Sequence, residues 1–310
     1  AALVSVEALR ICGQPTTDLV CVGMPGFGSS QRTQDNSVAL AAALGASFEV
    51  LSIAALSTQV LKGVGHALAL EDDCSVDDVI QKLRSLPELG DTSFENVQAR
   101  LRTLLLMTKA NQVGGIVVGT GDLSEKALGW STYAGDQIAM YDVNAGVPKT
   151  LIQHVMRWVV DHRAAHWENE NAAALSSALV SVLETPISPE LLPPDAEGDV
   201  AQLTEDVLGP YEVHDFFLYH FSVHGRSFDQ TLDLAHLVFG KQYDPETLRS
   251  YAHRFVSRFF THQFKRSCTP DAPKVLAVGL SPRADWRMPS DAQSEIWLST
   301  IDKWVPKGST

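Results

Sequence analysis

The chain has 310 residues, and its 45% hydrophobic content can build the core of one large domain or two modest ones. A formal net charge of −13 opposes non-specific attraction to nucleic acid or to an anionic membrane surface, so we expect neither as a partner. The apolar runs fall far short of the roughly 20 residues that a membrane span needs. The four cysteines are widely spaced, which predicts reduced thiols and, with no leader pattern, a cytoplasmic location.

Helical and strand patterns alternate from the first residue onward. Residues 1–12 read as a helix, 18–24 as a buried strand, 34–45 as a helix stopped by Gly45, and 47–53 as a second strand. This order predicts an α/β fold with a doubly wound parallel sheet. In such a sheet the opening helix follows a first strand and a phosphate-binding turn, which would lie upstream of residue 1. The equally open alternative is an N-terminal helix packed on the sheet edge.

The next stretch changes character. Residues 71–89 are acidic and aperiodic, which favours a surface insertion or a mobile loop. A helix resumes over 91–111, where Thr92 and Glu95 have the spacing of a capping box. An apolar stripe on that helix is predicted to contain Val97, Leu101, Leu104 and Leu105.

Asn96 and Arg100 share a different face of the same predicted helix, because residues four apart are neighbours on a helix. Both side chains could reach a ligand. The plainer interpretation is two solvated polar residues.

A glycine-rich turn follows the buried run at 114–118. Residues 119–122 turn the chain so that helix amides from about Ser124 onward face the carboxyl end of a strand, where α/β sheets bind ligands. The turn is not a dinucleotide fingerprint, because Ser124 stands where the third glycine is required. Spacing alone therefore gives a weak signal.

Glu125 lies in the first turn of that helix, beside the hydroxyls of Thr120 and Ser124. Such an oxygen cluster is of the kind that holds Mg²⁺ on a phosphate-bearing substrate. The alternative is an acid that compensates the helix dipole.

The whole stretch 114–159, GGIVVGTGDLSEKALGWSTYAGDQIAMYDVNAGVPKTLIQHVMRWV, resembles the signature region of glutamine-dependent NAD synthetases of the N-type ATP pyrophosphatase superfamily. Further stretches resemble the same family in the same order, namely 24–36, 92–103, 185–218, 264–274 and 281–291. The resemblance implies the adenine nucleotide alpha hydrolase-like sheet with a helical C-terminal extension. It places the α/β core at residues 1–185 and a mostly helical part of the same synthetase domain at 186–310.

The resemblance also implies a ligase reaction with ATP and Mg²⁺. In it, the carboxylate of deamido-NAD attacks the α-phosphorus of ATP, which releases pyrophosphate, and ammonia then displaces AMP to form NAD. Such chemistry depends on positioning and on charge neutralisation of phosphates.

Site residues follow from the matched motifs. Glu125 and Lys149 resemble catalytic residues, Thr120 and Lys149 resemble ATP contacts, and Glu125 also resembles the acid of the Mg²⁺ site. Lys265 in FKR resembles a partner of phosphate or carboxylate groups. The residues that resemble the deamido-NAD contacts are Asn96, Glu125, Trp130, Ser131, Thr132, Tyr133, Asp136 and Lys265.

Some features depart from the family pattern. The pyrophosphatase loop S-G-G-x-D-S should precede the opening helix, and a glutaminase domain that supplies ammonia should lie further upstream. We therefore expect a C-terminal piece of a longer protein, and we expect this piece to be poorly soluble by itself. The resemblance also implies a homo-oligomer. The stretch 133–137 is one residue short, 71–89 looks inserted, and Ala284 stands where glycine is usual. The alternative is a truncated non-catalytic chain that binds deamido-NAD or associates with full-length subunits.

Two histidine pairs have helical spacing, His162 with His166 and His220 with His224. Neither pair has the glutamate of the zinc motif H-E-x-x-H, so we predict surface or packing histidines.

Overall fold

The computed structural model describes residues 1–164, 171–188, 191–192 and 203–306. The chain forms two compact units that interleave along the sequence. The first unit contains Ala1–Val117, Thr132–Asp136 and Gln153–Leu203, and the second contains Val118–Ser131, Gln137–Ile152 and Thr204–Thr310. The predicted division at residue 185 falls inside the first unit. In the described part of the chain, no helix combines the length and apolar character that crossing a membrane requires.

The first unit begins with the predicted alternation of helices and strands. Its elements are α1 Ala2–Ile11, β1 Val20–Gly23, α2 Gln31–Leu44, β2 Ser47–Val50, α3 Ala54–Gly63, α4 Val76–Ser85, α5 Thr92–Val113 and α8 Ala172–Leu183. Strands β1 and β2 are parallel, with Val20 opposite Ser47. Gly45 ends α2 in the left-handed conformation at φ 67°, as the sequence predicts.

Two hydrophobic clusters form the core of this unit. One joins α1, α2 and α8 through Val6, Ala43, Leu44, Leu175 and Leu179. The other contains Phe27, Leu61, Leu68, Ala69, Val79, Leu83 and Phe94. The first cluster explains why the opening helix is stable in this unit, since Val6 is completely buried.

The alternative of a mobile loop over 71–89 is wrong, whereas an insertion relative to the family stays a prediction. Most of this segment is helix α4 followed by a short 3₁₀ helix at Pro87–Leu89. Ser75 and Asp78 form a capping box at the start of α4. Val79 and Leu83, four residues apart, are buried in the second cluster. Two apolar residues four apart are too few for the hydrophobic period to reveal a helix within an acidic segment.

Helix α5 also differs from the prediction at its start. Asp91, rather than Thr92, is the N-cap, and its carboxylate accepts from the backbone of Ser93 and Phe94. The predicted stripe is only partly buried. Leu101 lies at 9% exposure, whereas Leu104 is 60% exposed.

The second unit contains a small sheet and most of the C-terminal helices. Its elements are β3 Val118–Gly119, α6 Leu123–Leu128, β4 Tyr141–Asp142, α9 Thr204–Leu208, α10 Tyr211–Ser222, α11 Phe228–Phe239, α12 Pro245–Thr261, α13 Gln263–Arg266 and α14 Glu295–Asp302. Helix α7, Lys149–Trp158, spans the point where the chain passes between the units. Strand β3 is parallel to β4 and is shorter than the predicted run at 114–118. Each described sheet has two strands, so the larger doubly wound sheet stays a prediction.

Aromatic side chains fill the core of the helical part of this unit. Phe217 on α10, Phe228 on α11, and Phe255 and Phe259 on α12 are almost fully buried. Their ring centroids lie 5.6 to 6.3 Å apart, at distances typical of interacting aromatic pairs. Within the described residues of 186–310, the predicted helical character is confirmed for α9 to α14, whereas the stretch between Arg266 and Glu295 contains no helix.

The histidine pairs have different outcomes. His220 and His224 stack at 5.5 Å between ring centroids, as expected for packing histidines. His162 stacks on Trp158, and its predicted neighbour His166 lies outside the described residues. The described residues contain no group of three or more His, Cys, Asp or Glu side chains that could hold a metal ion. All four cysteines are free.

Candidate functional site

The glycine-rich turn connects β3 to α6 at the carboxyl end of β3. A Cβ atom on Gly119 would lie 2.9 Å from Ala139 Cβ and 3.0 Å from Asp142 Cγ, so only glycine fits between β3 and β4. Asp142 in turn forms an ion pair with Lys126 of α6, with 2.9 Å between carboxylate and ammonium. The turn is therefore tied to both neighbouring elements.

Asp122 and Glu125 form a capping box at the start of α6. The Glu125 amide donates to Asp122 Oδ1 at 2.9 Å, and the Asp122 amide donates to Glu125 Oε2 at 3.1 Å. Asp122 is 2% exposed. The box fixes two carboxylates at the helix N-terminus, one buried and one accessible.

Lys149, at the start of α7, places its ammonium between these carboxylates. Its Nζ lies 2.6 Å from Asp122 Oδ2 and 2.9 Å from Glu125 Oε1. The ammonium also lies over the ring of Tyr211, 5.2 Å from the centroid. Two carboxylates and one ammonium leave a net negative charge in a mostly buried site.

The protonation properties of this group follow from burial and from that charge count. Burial and the neighbouring Glu125 raise the pKa of Asp122 to about 7, and the attraction of Lys149 offsets only part of the shift. Burial lowers the pKa of Lys149, but Asp122 and Glu125 outweigh it, so the net shift is upward. Lys149 therefore stays charged at neutral pH.

Asp215 of α10 ties the start of α6 to the start of α7. Its carboxylate accepts from the Ser124 hydroxyl, from the Thr150 amide at 3.2 Å and from the Thr150 hydroxyl at 2.7 Å. The Ser124 hydroxyl in turn accepts from the Lys149 amide at 2.9 Å. This network holds the backbone of Lys149 against α6.

The predicted oxygen cluster around Glu125 is wrong in one respect. The Ser124 hydroxyl is 1% exposed and bonded to Asp215, so it does not join Glu125. Thr120 is exposed in the turn. The neighbours of Glu125 in the second unit are Lys149 and the amide of Asp122.

The other end of α6 is surrounded by cations. Arg266 is 1% exposed and donates to the carbonyls of Lys126, Ala127 and Phe259. Arg258 donates to the carbonyl of Leu128 at 2.9 Å, and its guanidinium lies 5.1 Å from the ring centroid of Trp130.

Lys265 lies next to this end as well. Its Nζ donates to the carbonyls of Gly129 at 2.8 Å and Ser131 at 2.6 Å. Gln137 donates to the carbonyl of Lys265 at 2.7 Å. These bonds connect the segment after α6 to α13.

The first unit gathers the remaining predicted residues. Thr132 donates through its hydroxyl to Asn96 Oδ1 at 2.8 Å and through its amide to Asp136 Oδ1 at 2.7 Å. Arg100 donates to the carbonyl of Tyr133 at 3.1 Å. The predicted shared face of Asn96 and Arg100 thus binds the 132–136 segment.

The predicted site residues therefore form two groups. The first unit contains Asn96, Thr132, Tyr133 and Asp136, and the second contains Thr120, Glu125, Trp130, Ser131, Lys149 and Lys265. Three residues at the centre of the second group escaped prediction, namely Asp122, Asp215 and Arg266. The spacing of Asp122 and Glu125 is a capping-box signal that could have revealed the first. Asp215 and Arg266 act over long sequence separations, which no local pattern reports.

The fold and the charged start of α6 define an α/β protein with its candidate site at the carboxyl end of a parallel strand. Comparison with known proteins gives the class. The sequence model of the NAD synthase family matches residues 1–266, so the chain belongs to the NAD synthase family.

Curated relatives extend the similarity over nearly the full chain. The glutamine-dependent NAD(+) synthetase of Mycobacterium tuberculosis is 39% identical over 327 residues, which cover 99% of this chain and 45% of the relative. The enzyme of the same name from Mycobacterium leprae is 39% identical over 330 residues, with the same coverage. The chain thus spans less than half the length of these relatives.

A solved structure shows the same fold. The crystal structure of a glutamine-dependent NAD(+) synthetase from Cytophaga hutchinsonii matches with a TM-score of 0.66 and 18% sequence identity. The match covers 93% of this chain and 42% of that chain. At this identity the likeness supports the α/β fold and nothing finer.

Proposed function

We propose that the chain is the synthetase portion of a glutamine-dependent NAD synthetase, which converts deamido-NAD to NAD with ATP and ammonia. Membership of the NAD synthase family and the names of the mycobacterial relatives support this reaction. In the proposed first step, a carboxylate oxygen of deamido-NAD attacks the α-phosphorus of ATP and pyrophosphate leaves. In the second step, ammonia adds to the acyl carbon, AMP leaves, and the nitrogen loses a proton as the amide forms.

The observation that carries the proposal is the position of Lys149 at the amide end of α6. A lysine ammonium can neutralise the charge of a bound phosphate. Lys149 is held there by Asp122 and Glu125, so its charge is fixed in place before any substrate binds. Thr120 is exposed in the same turn and is proposed to contact ATP.

The donor set is compatible with Mg²⁺. Glu125 keeps 24% of its side chain exposed, whereas Asp122 is buried, so Glu125 is the carboxylate that a metal can reach. Magnesium binds through one or two carboxylates and takes its other ligands from water and substrate phosphates. We include Mg²⁺ in the proposal with Glu125 as its protein ligand, and the ion would neutralise phosphate charge.

The proposed contacts to deamido-NAD use the remaining predicted residues. In the second unit, the aromatic face of Trp130 suits a pyridine ring, and Lys265 and Ser131 lie in the same hydrogen-bonded segment. In the first unit, Asn96, Thr132 and Asp136 form one hydrogen-bonded group beside Tyr133.

The proposal extends to the partners of the chain. The relatives are about twice as long and are named as glutamine-dependent, which supports a glutaminase domain as the source of ammonia. A homo-oligomer and a cytoplasmic location complete the proposal.

The test is an assay of AMP and NAD formation from deamido-NAD, ATP, Mg²⁺ and ammonium chloride. Two proteins are compared, the 310-residue chain and the same chain extended by a family-like first strand and pyrophosphatase loop. The proposal predicts equal amounts of AMP and NAD from the extended protein. Binding of deamido-NAD by the 310-residue chain, without turnover by either protein, would favour the non-catalytic alternative.

A further inference from the structure

One face of α12 borders a cavity of about 570 Å³ in the second unit. Its polar side chains recur at helical spacing, so they share that face of the helix. Those of α12 are Glu246, Arg249, Ser250, His253, Arg254, Ser257 and Arg258, and Asp302 of α14 also lines the cavity. The volume lies within the range of small-molecule sites. The residues assigned above to ATP or deamido-NAD are different ones.

The arginines of this face are not equally neutralised. Arg249 is paired with Glu246, with 2.7 Å between Nη1 and Oε2. Arg254 donates to the carbonyl of Leu208 at 2.9 Å, and Arg258 donates to the carbonyl of Leu128 at 2.9 Å. A carbonyl carries no net charge. In the part of the chain that the structure describes, neither Arg254 nor Arg258 has a carboxylate at ion-pair distance.

Two like charges on successive turns of a helix repel each other. Burial, and with it the charge of Arg254, lowers the pKa of Arg258. The ring of Trp130 packs against the Arg258 guanidinium and fixes the plane of its fork. The chain as a whole carries a net charge of −13, whereas the cavity lining holds three arginines, Arg249, Arg254 and Arg258, against two carboxylates, Glu246 and Asp302.

The remaining donors suit an oxyanion. Each guanidinium has five N–H groups, and the hydrogen bonds above use one of them in Arg254 and one in Arg258. Ser250 and His253 are exposed on the same face, and Ser257 lies one turn beyond His253. Arginine forks bind phosphate oxygens two at a time, and two charges match a phosphate monoester dianion.

We propose that this cavity is a binding site for a phosphate-bearing small molecule of nucleotide size, with its phosphate between Arg254 and Arg258. None of the residues that line the cavity is assigned to ATP or deamido-NAD, although Arg258 packs on Trp130, a proposed deamido-NAD contact. The shared chemistry is a phosphate group, either free or on a nucleoside.

The test is isothermal titration calorimetry on the 310-residue chain at low ionic strength, with inorganic phosphate and AMP as separate probes. We expect saturable binding of at least one probe, and the stronger probe tells free phosphate from nucleoside phosphate. Arg254→Met is expected to weaken binding at least tenfold. Arg84→Met removes an exposed arginine of the first unit and is expected to leave binding unchanged.

A second variant covers the case in which loss of the Arg254 bond to Leu208 unfolds the chain. Ser250 is exposed, so Ser250→Asp places a negative charge at the cavity with little effect on packing. It is expected to weaken binding at least tenfold. Lys149→Met is expected to leave the binding of inorganic phosphate at this cavity unchanged. The proposal is overturned if neither probe binds saturably, or if folded Arg254→Met and Ser250→Asp bind as tightly as the parent chain.

Discussion

The two ends of α6 hold their cations in opposite ways. At the N-terminal end, Lys149 lies between the carboxylates of Asp122 and Glu125. At the C-terminal end, Arg258 and Arg266 bind backbone carbonyls. Each end thus carries the charge that complements the helix dipole, negative at the start and positive at the finish.

The kind of partner determines how firmly each cation keeps its proton. The carboxylates raise the pKa of Lys149 despite its burial. Burial lowers the pKa of Arg266 to about 9, because the carbonyls supply no opposing charge. Arg266 nevertheless stays charged at neutral pH, since a guanidinium is hard to deprotonate. The start of α6 thus carries an excess of carboxylate over ammonium, whereas its end retains positive charge.

The largest effect is expected at the C-terminal end. Arg266→Met removes the donor to three buried carbonyls, those of Lys126, Ala127 and Phe259. We expect a loss of about 3 to 5 kcal/mol in the free energy of unfolding, measured by urea denaturation. Arg287→Met is the matched control, because Arg287 is exposed. Equal stability of the two variants would show that the carbonyls do not need Arg266.

At the N-terminal end, two substitutions of Asp122 separate capping from charge. Asp122→Ala removes both the cap and the ion pair, with an expected cost of about 2 to 4 kcal/mol. Asp122→Asn keeps an oxygen for the Glu125 amide and resembles the protonated acid, so its expected cost is about 1 kcal/mol. Urea denaturation at pH 7 measures both. If Asp122→Asn lost more free energy of unfolding than Asp122→Ala, the separation of capping from charge would be wrong.

The pH dependence of stability is expected to differ in sign between the ends. The pKa of Asp122 is raised to about 7 in the folded chain, so the unfolded chain releases this proton at lower pH. The contribution of Asp122 to the free energy of unfolding therefore falls as pH rises from about 4 through 7. Burial and the nearby Arg258 lower the pKa of His262, beside the other end, to about 4. As pH falls, the unfolded chain binds this proton before the folded chain does. The contribution of His262 to the free energy of unfolding is therefore complete above about pH 6.5 and falls as pH drops toward 4.

Thermal unfolding between pH 4 and 7 tests these signs through single variants. Subtracting the Asp122→Asn profile from that of the parent should leave a difference that falls with pH. The same subtraction for His262→Gln should leave a stability difference that rises with pH. Two differences with the same sign would refute the opposite electrostatics of the two ends.

The smallest effect is expected at an exposed copy of the same capping motif. Ser75 caps α4 with Asp78 as its reciprocal partner, and both are solvent-accessible. Ser75→Ala should cost about 1 kcal/mol, because it removes a cap without uncovering a buried charge. Urea denaturation beside Asp122→Ala makes the comparison. If Ser75→Ala and Asp122→Ala lost the same free energy of unfolding, burial would add nothing to the capping box of α6.

Much of the first unit could be predicted from local patterns. Residues 1–12, 34–45 and 47–53 became α1, α2 and β2, and Gly45 is in the left-handed conformation that its position required. These elements are each specified by a nearby stop signal or a regular apolar period.

The failures have physical causes. In α4 Val79 and Leu83 are the buried residues, and the acidic residues of the 71–89 segment obscure their spacing. Leu104 fits the apolar period of α5, yet it is 60% exposed, because periodicity does not say how wide the buried face is.

Only those residues of the candidate site that lie in recognisable sequence motifs could be predicted. Glu125 and Lys149 stand in matched motifs, and the structure joins their side chains at 2.9 Å. Asp215 is 91 residues from Ser124, and Arg266 is 140 residues from Lys126, so their bonds exist only in the folded chain. The roles of all these residues in catalysis stay predictions.

Lys149, whose ammonium lies at the start of α6, is proposed to serve ATP-dependent amidation, and the rate of that reaction tests its role. The rate of NAD formation from deamido-NAD, ATP, Mg²⁺ and ammonium chloride is compared for Lys149→Met and Lys109→Met in the extended protein. Lys109 pairs with Glu49 in the first unit and serves as the matched control. We expect the rate of NAD formation to fall at least a hundredfold in Lys149→Met and to stay unchanged in Lys109→Met. A hundredfold loss corresponds to about 3 kcal/mol of transition-state stabilisation. Equal rates in the two folded variants would contradict this role of Lys149.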